Sequence, residues 1–203
     1  MDILKLLIED IIHFNSSQEY KKIELHVISN HSIKKYLTEE EAECCHIIGE
    51  VFGENLDQYI QNNIDFGISI GTASLEIGKN GVPVAITTGT DCLEIYRNEK
   101  KRYMWLYESE GYDVSVTDYY QNKTKSLNEL VNEYFLNFEK ISDITAEYLN
   151  SMHSNRRIME NFVTIIQNSS FIYKDFRNLK NRYYSTELKL LFNLKKISKY
   201  LLN

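Results

Sequence analysis

A chain of 203 residues with 43% hydrophobic and 26% charged residues holds material for one globular core, or one core with a helical appendage. Its net charge of -6 argues against nucleic acid as the main partner, and one proline with eight glycines leaves no flexible linker. Three cysteines, Cys44, Cys45 and Cys92, form no C-x-x-C spacing, which suits a reducing cytoplasm better than a disulfide framework.

Taken in order, Ile3, Leu4, Leu7, Ile8, Ile11 and Ile12 recur at helical spacing and predict an amphipathic helix, ended by Asn15-Ser16-Ser17. No apolar run approaches the ~18 residues that span a bilayer. The opening M-D-I-L-K-L-L-I-E-D carries acids where an export signal needs bases, so a cytoplasmic location is expected. Ile23 to Ile28 alternates, with Ile23, Leu25 and Val27 on one side, and reads as a strand leaving the loop Ser29-Asn30-His31-Ser32. Thr38 followed by Glu39, Glu40 and Glu41 predicts a capped helix start. His46 to Phe52 reads as a strand and Asn55 to Gln61 as a short helix.

The centre of the chain is Ile64 to Thr90. Ile64 to Ile70 is a buried strand that stops at Gly71, Thr72 supplies an N-cap, and Ala73 to Ile77 suits a helix. Asn80-Gly81 ends that helix with residues that tolerate the left-handed conformation. Val82 to Ile86 is a second buried strand with Pro83 at its start. Two apolar strands joined by so short a helix imply a parallel pair covered on both faces. Gly71 lets the backbone approach a ligand, and the first amides of the helix are donors at the positive end of its dipole. Thr72 and Ser74 add hydroxyls suited to a phosphate, and Glu76 lies where a carboxylate accepts from both hydroxyls of a ribose. The same residues also suit an ordinary strand-turn-helix in which Thr72 merely caps and Glu76 faces water.

The run I-G-T-A-S-L-E-I-G-K-N-G-V-P-V-A-I resembles the donor-site signature of GT-B glycosyltransferases, S/T-x-x-E-A-x-x-x-G-x-P-V after a small-residue turn. The match carries over to Gly71, Thr72, Ser74, Glu76, Gly81 and Pro83. The resemblance, family 4-like, implies that the turn holds a nucleotide diphosphate and Glu76 its ribose. It departs from the retaining enzymes at Ile68, where they carry a further glutamate, so retaining chemistry is not implied. A weaker likeness to the carboxyl-terminal GT-B domain extends back to Met1. It adds Asn30 and His31 at the edge of the first strand, and Gly49-Glu50 where that family contacts the base. His31 reads more simply as a loop histidine with ordinary partners.

After Thr90, Tyr103 to Tyr107 reads as a strand holding the core tryptophan Trp105, and Val114 to Val116 as a short one. Leu127, Leu130, Val131, Tyr134, Phe135, Phe138 and Ile141 fall on one helical face. Ile144 to Met152 and Arg157 to Ile166 continue as helices. From Phe171 onward eight basic residues face two acids, a net charge of +6, leaving 15 basic against 27 acidic residues, net -12, in the rest. Such a basic amphipathic end packs on its own domain or a partner subunit, or else lies on an anionic membrane surface.

His13, His26, His31, His46 and His153 show no H-x-x-x-H or H-E-x-x-H spacing, and Cys44-Cys45-His46 is too compact for a tetrahedral zinc site. G-x-G-x-x-G, G-x-x-x-x-G-K-[ST] and G-x-S-x-G are absent. Asp65, Asp91, Glu94, Asp113 and Asp118 are open candidates for acid or base work.

The expectation is therefore an α/β protein with a Rossmann-like parallel sheet flanked by helices over residues 1–170 and a helical C-terminal region over 171–203. The resemblance implies the nucleotide-sugar-binding half of a glycosyltransferase in glycan or surface polysaccharide synthesis, needing no cofactor or metal. Its donor-binding residues would be Gly71, Thr72, Ser74, Glu76, Asn30 and Gly49, with no catalytic residue assigned. Such a half needs an N-terminal acceptor domain or a partner subunit. The alternatives are one half of a sugar-nucleotide epimerase and a non-catalytic α/β partner or scaffold protein.

Overall fold

The computed structural model of the protein describes residues 2–19, 22–29, 31–87, 101–116 and 122–169. The chain divides into two compact units, Met1–Arg157 and Ile158–Asn203. The basic segment from Phe171 onward and the expected boundary at residue 170 lie outside the described residues.

The first unit opens on α1 (Asp2–Ser17), whose Leu7, Ile8, Ile11 and Phe14 are buried as the 3.6-residue period requires. At its end the Asn15 side chain donates to the Ile23 carbonyl at 2.9 Å and accepts from the Ile23 amide at 2.8 Å. That pair of bonds fixes the entry into β1 (Leu25–Ile28). A 3-10 turn over His31–Tyr36 leads to Thr38, which forms a capping box with Glu41 at the start of α2 (Glu39–Glu43). β2 (Cys45–Ile48) lies parallel to β1, with His26 opposite His46. It stops at Ile48, earlier than the expected Phe52, because Gly53 at φ +58 turns the chain into α3 (Glu54–Asn63).

β3 (Gly67–Ser69), α4 (Thr72–Gly78) and β4 (Val84–Thr87) form the parallel crossing expected, with Ile68 opposite Ala85. β5 (Tyr103–Trp105) runs antiparallel to β4, so this three-stranded sheet is mixed. The molecule is α/β, but among the described residues β1–β2 and β3–β4–β5 are two small sheets and not one doubly wound sheet. The strands, three or four residues each, are short for such a sheet. Val114 to Val116, expected as a short strand, instead makes two separate backbone bonds: the Val116 amide donates to the Thr87 carbonyl at 2.9 Å and the Val114 carbonyl accepts from the Gly71 amide at 2.8 Å.

Every residue of β4 is buried, and the two-residue period sorts its side chains into two cores. Ala85, with Tyr103 and Trp105 of β5, packs against α1 and against Leu127, Leu130, Val131 and Ile141 of α5 (Leu127–Tyr148). Val84 and Ile86, with Met104, pack against α4 and the end of α5. Trp105 is fully buried, and its indole donates to Glu133 at 3.0 Å. Lys125 bridges Glu133 at 2.9 Å and Glu108 at 2.6 Å.

α5 starts at a second capping box, Ser126 with Glu129, and buries Leu127, Leu130, Val131 and Ile141 as expected. Phe135 and Phe138, expected on the same face, are exposed instead, and Leu136 beside them is 81% exposed. The helix breaks at Asn137 (φ -142°, ψ 27°), whose side-chain amide reaches the Glu133 carbonyl in place of a regular backbone turn. The stripe resumes beyond the break at Ile141, which is buried in the same core as Leu127, Leu130 and Val131. A π-helical turn over Leu149–His153 closes α5. The described part of the second unit is the remainder of α6 (Asn155–Asn168), which carries exposed Phe162, Ile165 and Ile166. Among the described residues no helix is long and apolar enough to cross a membrane.

One ion pair joins α1 to the sheet. Asp10 lies 3.1 Å from Arg102 Nε and accepts from Arg102 Nη2 at 3.2 Å and from the Tyr103 hydroxyl at 2.5 Å. Removing one partner of such a buried pair strands the other charge. Asp10→Asn should cost roughly 3 kcal/mol, read from denaturant midpoints. A loss within the surface-mutation range of about 0.5 kcal/mol would show that the pair does not hold α1 in place.

Candidate functional site

The crossing from β3 to α4 turns at Gly71, whose φ of +68° and ψ of -149° lie in a region open essentially to glycine. Gly71 is therefore the N-cap, and Thr72 is the first helical residue and not the cap expected of it; no side chain caps this helix. The Gly71 amide donates to the Val114 carbonyl at 2.8 Å, and the Gly71 carbonyl accepts from the Ser74 amide at 3.1 Å. Ser74 is fully buried, with its hydroxyl 2.8 Å from that of Ser69. That hydroxyl ties α4 to β3 and does not face the mouth of the turn. Thr72 and Glu76 are exposed one helical turn apart, hence on one face.

Glu76 belongs to a charged cluster. Lys79 Nζ sits 2.6 Å from Glu76 and 3.2 Å from Asp57, and the Asn80 side chain donates to Asp57 at 3.0 Å. The Asn80 and Lys79 hydrogen bonds hold the Asp57 carboxyl below its usual range, and the two carboxylates raise Lys79. Gly49 directly follows β2, in the other sheet, so it shares no strand pairing with the Gly71 turn. Asn30 lies outside the described residues.

Beside Glu76 opens a cavity of about 500 Å³ lined by Leu75, Lys79, Asn150, His153 and Ser154 among others. It sits at the end of α4 and so at the amino edge of β4, whereas the Gly71 turn is at the carboxyl edge of β3. The π-helical turn, a feature frequent at functional sites, presents His153 here. His153 Nε2 is buried with no hydrogen-bond partner among the described residues, and the ring packs edge-on against Tyr112 and beside Tyr148, both at 5.5 Å. Burial pulls the His153 pKa below its ordinary value. Nothing in the sequence near His153 signals this, because the expected helix over Ile144 to Met152 carries no residue that marks a π-helical turn.

A second histidine group arises from strand register. His26 and His46 are twenty positions apart yet face each other across β1 and β2, ring centres 5.2 Å apart. Glu24 lies 2.5 Å from His46 Nε2 and 3.8 Å from His26 Nε2, and Tyr59 is 2.6 Å from His26 Nδ1. Short-spacing motifs do not detect this; equal offsets in two neighbouring strand patterns would. Glu24 joins the two rings directly, and among the described residues no three such side chains are placed to hold a metal ion.

No family model, curated protein or solved structure matches the chain.

The lowered His153 pKa has a defined consequence. Below the unfolded value near 6.5, the unfolded chain takes up a proton that the buried ring resists, so this residue's contribution is present above that pH and is lost as pH falls through the folded pKa. The melting temperature should drop between pH 7.5 and 5.5, and His153→Gln should flatten that drop. An identical drop in both proteins would rule His153 out as its source.

Proposed function

We propose that the protein is the nucleotide-sugar-binding half of a glycosyltransferase, completed by an acceptor domain or a partner subunit. One observation carries the reading: Thr72 and Glu76 are exposed together on a helix that leaves a parallel strand through a positive-φ glycine. In open α/β sheets ligands lie at the carboxyl ends of the strands, where that turn is. The donor's diphosphate would lie over Thr72 and Ala73 at the positive end of α4, stabilised as leaving group by amides. Its ribose hydroxyls would reach the Glu76 carboxylate, sharing it with Lys79. Ser74, turned inward, braces the helix in this scheme and does not touch the donor. A Rossmann-like relation of the two small sheets, and synthesis of a glycan or surface polysaccharide, belong to the same proposal.

The exposed Phe135, Leu136 and Phe138 favour one alternative, a non-catalytic α/β partner that docks through α5. Nucleotide binding separates the two. With UDP, GDP or their sugar conjugates at about a hundred times the dissociation constant, stability should rise by roughly 2.7 kcal/mol. Glu76→Ala should abolish that gain, while its exposed ion pair contributes little to the fold. No rise with any nucleotide would leave the partner reading in place.

A further inference from the structure

Among the described residues, α6 has no buried side chain, and its apolar residues stand out on one face. Ile158, Phe162 and Ile165 are 43%, 56% and 67% exposed, with Met159 and Ile166 beside them. Ile158 is also the first residue of the second unit. The three are spaced four and then three residues apart, which is the 3.5-residue repeat of a coiled-coil seam. Past residue 169 the sequence alone keeps that repeat. Ile172, Phe176, Leu179 and Tyr183 follow in step, then Leu190, Ile197 and Tyr200. Of the thirteen seam positions from Ile158 to Tyr200, ten are apolar or aromatic and three, Ser169, Thr186 and Asn193, are polar. The repeat therefore runs through six heptads, where about three to four already argue for a coiled coil.

We propose that the second unit pairs with a second copy of this chain, along this seam, as a parallel two-stranded coiled coil. The inference stands apart from the nucleotide-sugar reading and uses none of its residues. Charge selects the partner and its direction. With Ile158 and Ile165 at heptad position d and Phe162 at a, Asp175 and Arg182 fall at g, and Lys180 and Glu187 fall at e. In a parallel pair in register, each g residue meets the e residue five positions on in the other chain. Asp175 then meets Lys180 of the partner subunit, and Arg182 meets Glu187 of the partner subunit. Asp175 and Glu187 are the two acids from Phe171 onward, and this one arrangement matches both with a base. Lys189 and Lys196, also at g, fall against leucines at e, Leu194 and Leu201. There their stems cover apolar surface while the ammonium groups stay in water. A polar seam residue such as Asn193 pairs with its own counterpart only when the chains are in register, so it fixes the alignment at some cost in stability. Identical chains supply every one of these matches, and a partner of other sequence is not needed.

The test is sedimentation equilibrium of the full chain in reducing buffer. The unaltered chain should form a dimer of twice 23.9 kDa. Phe162→Asp combined with Ile165→Asp should weaken it at least a hundredfold. The first unit should still melt as before in that variant, read by the fluorescence of Trp105, the single tryptophan, which is buried there. Asp175→Lys should raise the dissociation constant roughly tenfold, because the reversal occurs twice in each dimer. Adding Lys180→Asp should bring it back to within about twofold of the unaltered chain. A monomer at every concentration would overturn the proposal, as would a dimer untouched by the seam substitutions or an assembly larger than two. Charge reversal without effect, or not restored by the swap, would reject the parallel register and the proposal with it. A monomer that binds phosphatidylserine vesicles instead would make the segment a membrane-surface element and overturn the pairing.

Discussion

Asp10 accepts from two consecutive residues of the sheet, Arg102 and Tyr103, and much of the first unit depends on that junction. Without it α1 would rest on its apolar face, Leu7, Ile8, Ile11 and Phe14, and on the Asn15 bonds at its end, and apolar contact sets no register along a helix axis. The ion pair does. The Tyr103 hydroxyl is held protonated well above the ordinary tyrosine range, first by burial and then by the Asp10 charge, so it serves as a donor at every physiological pH. Arg102 in turn has its amide and carbonyl engaged on either side, by Lys125 and Thr87. A buried pair of this kind adds less to stability than its Coulomb attraction suggests, but it makes alternative placements of α1 costly.

The second constraint is the burial of β4 on both faces. A central strand whose alternate residues enter different cores needs a cover on each side. α1 and α5 from Leu127 to Ile141 cover Ala85, while α4 and the end of α5 cover Val84 and Ile86. α5 can serve both faces because it is long: Leu127 to Ile141 line one core and Tyr148, at its end, borders the other. Phe135, Leu136 and Phe138, on either side of the Asn137 break, stay exposed, although Ile141 beyond it returns to the first core.

What was legible beforehand was local. The capped start at Thr38, the glycine turn at Gly71, the left-handed Gly81 and the alternation of Leu25 and Val27 act within a few residues, where side chain and backbone chemistry decide. The parallel pairing of β3 with β4 was also legible, because a connection containing a helix suits no tight hairpin. What escaped depends on contacts distant in sequence. Asp10 and Arg102 are 92 positions apart, and Ser74 reads as a ligand hydroxyl until Ser69 is seen to take it. His26 meets His46 only through register, and the Asn137 break interrupts an apolar period that looks continuous. Of the expected donor residues, the exposed pair Thr72 and Glu76 stays available while Ser74 and the Gly71 amide are used by the fold itself.

The electrostatics along α4 bear on how a donor would lie. Seven residues at 1.5 Å rise make the helix about 10 Å long, so Thr72, Glu76 and the mouth of the larger cavity fall along a single short surface. Its two ends differ in sign. Thr72 begins the helix, where the dipole favours negative charge, and carries no acid in its first turn. At the other end Glu76 and Asp57 outnumber Lys79, the cation that binds them both. In the proposed reading a diphosphate would therefore be repelled from the cavity end and would lie at Thr72. A group rich in hydroxyls suits the cavity end, where carboxylates and the Asn150 amide accept hydrogen bonds. The direction of a bound donor, phosphates at Gly71 and hydroxyls toward Lys79, thus follows from charge alone once the ligand is granted.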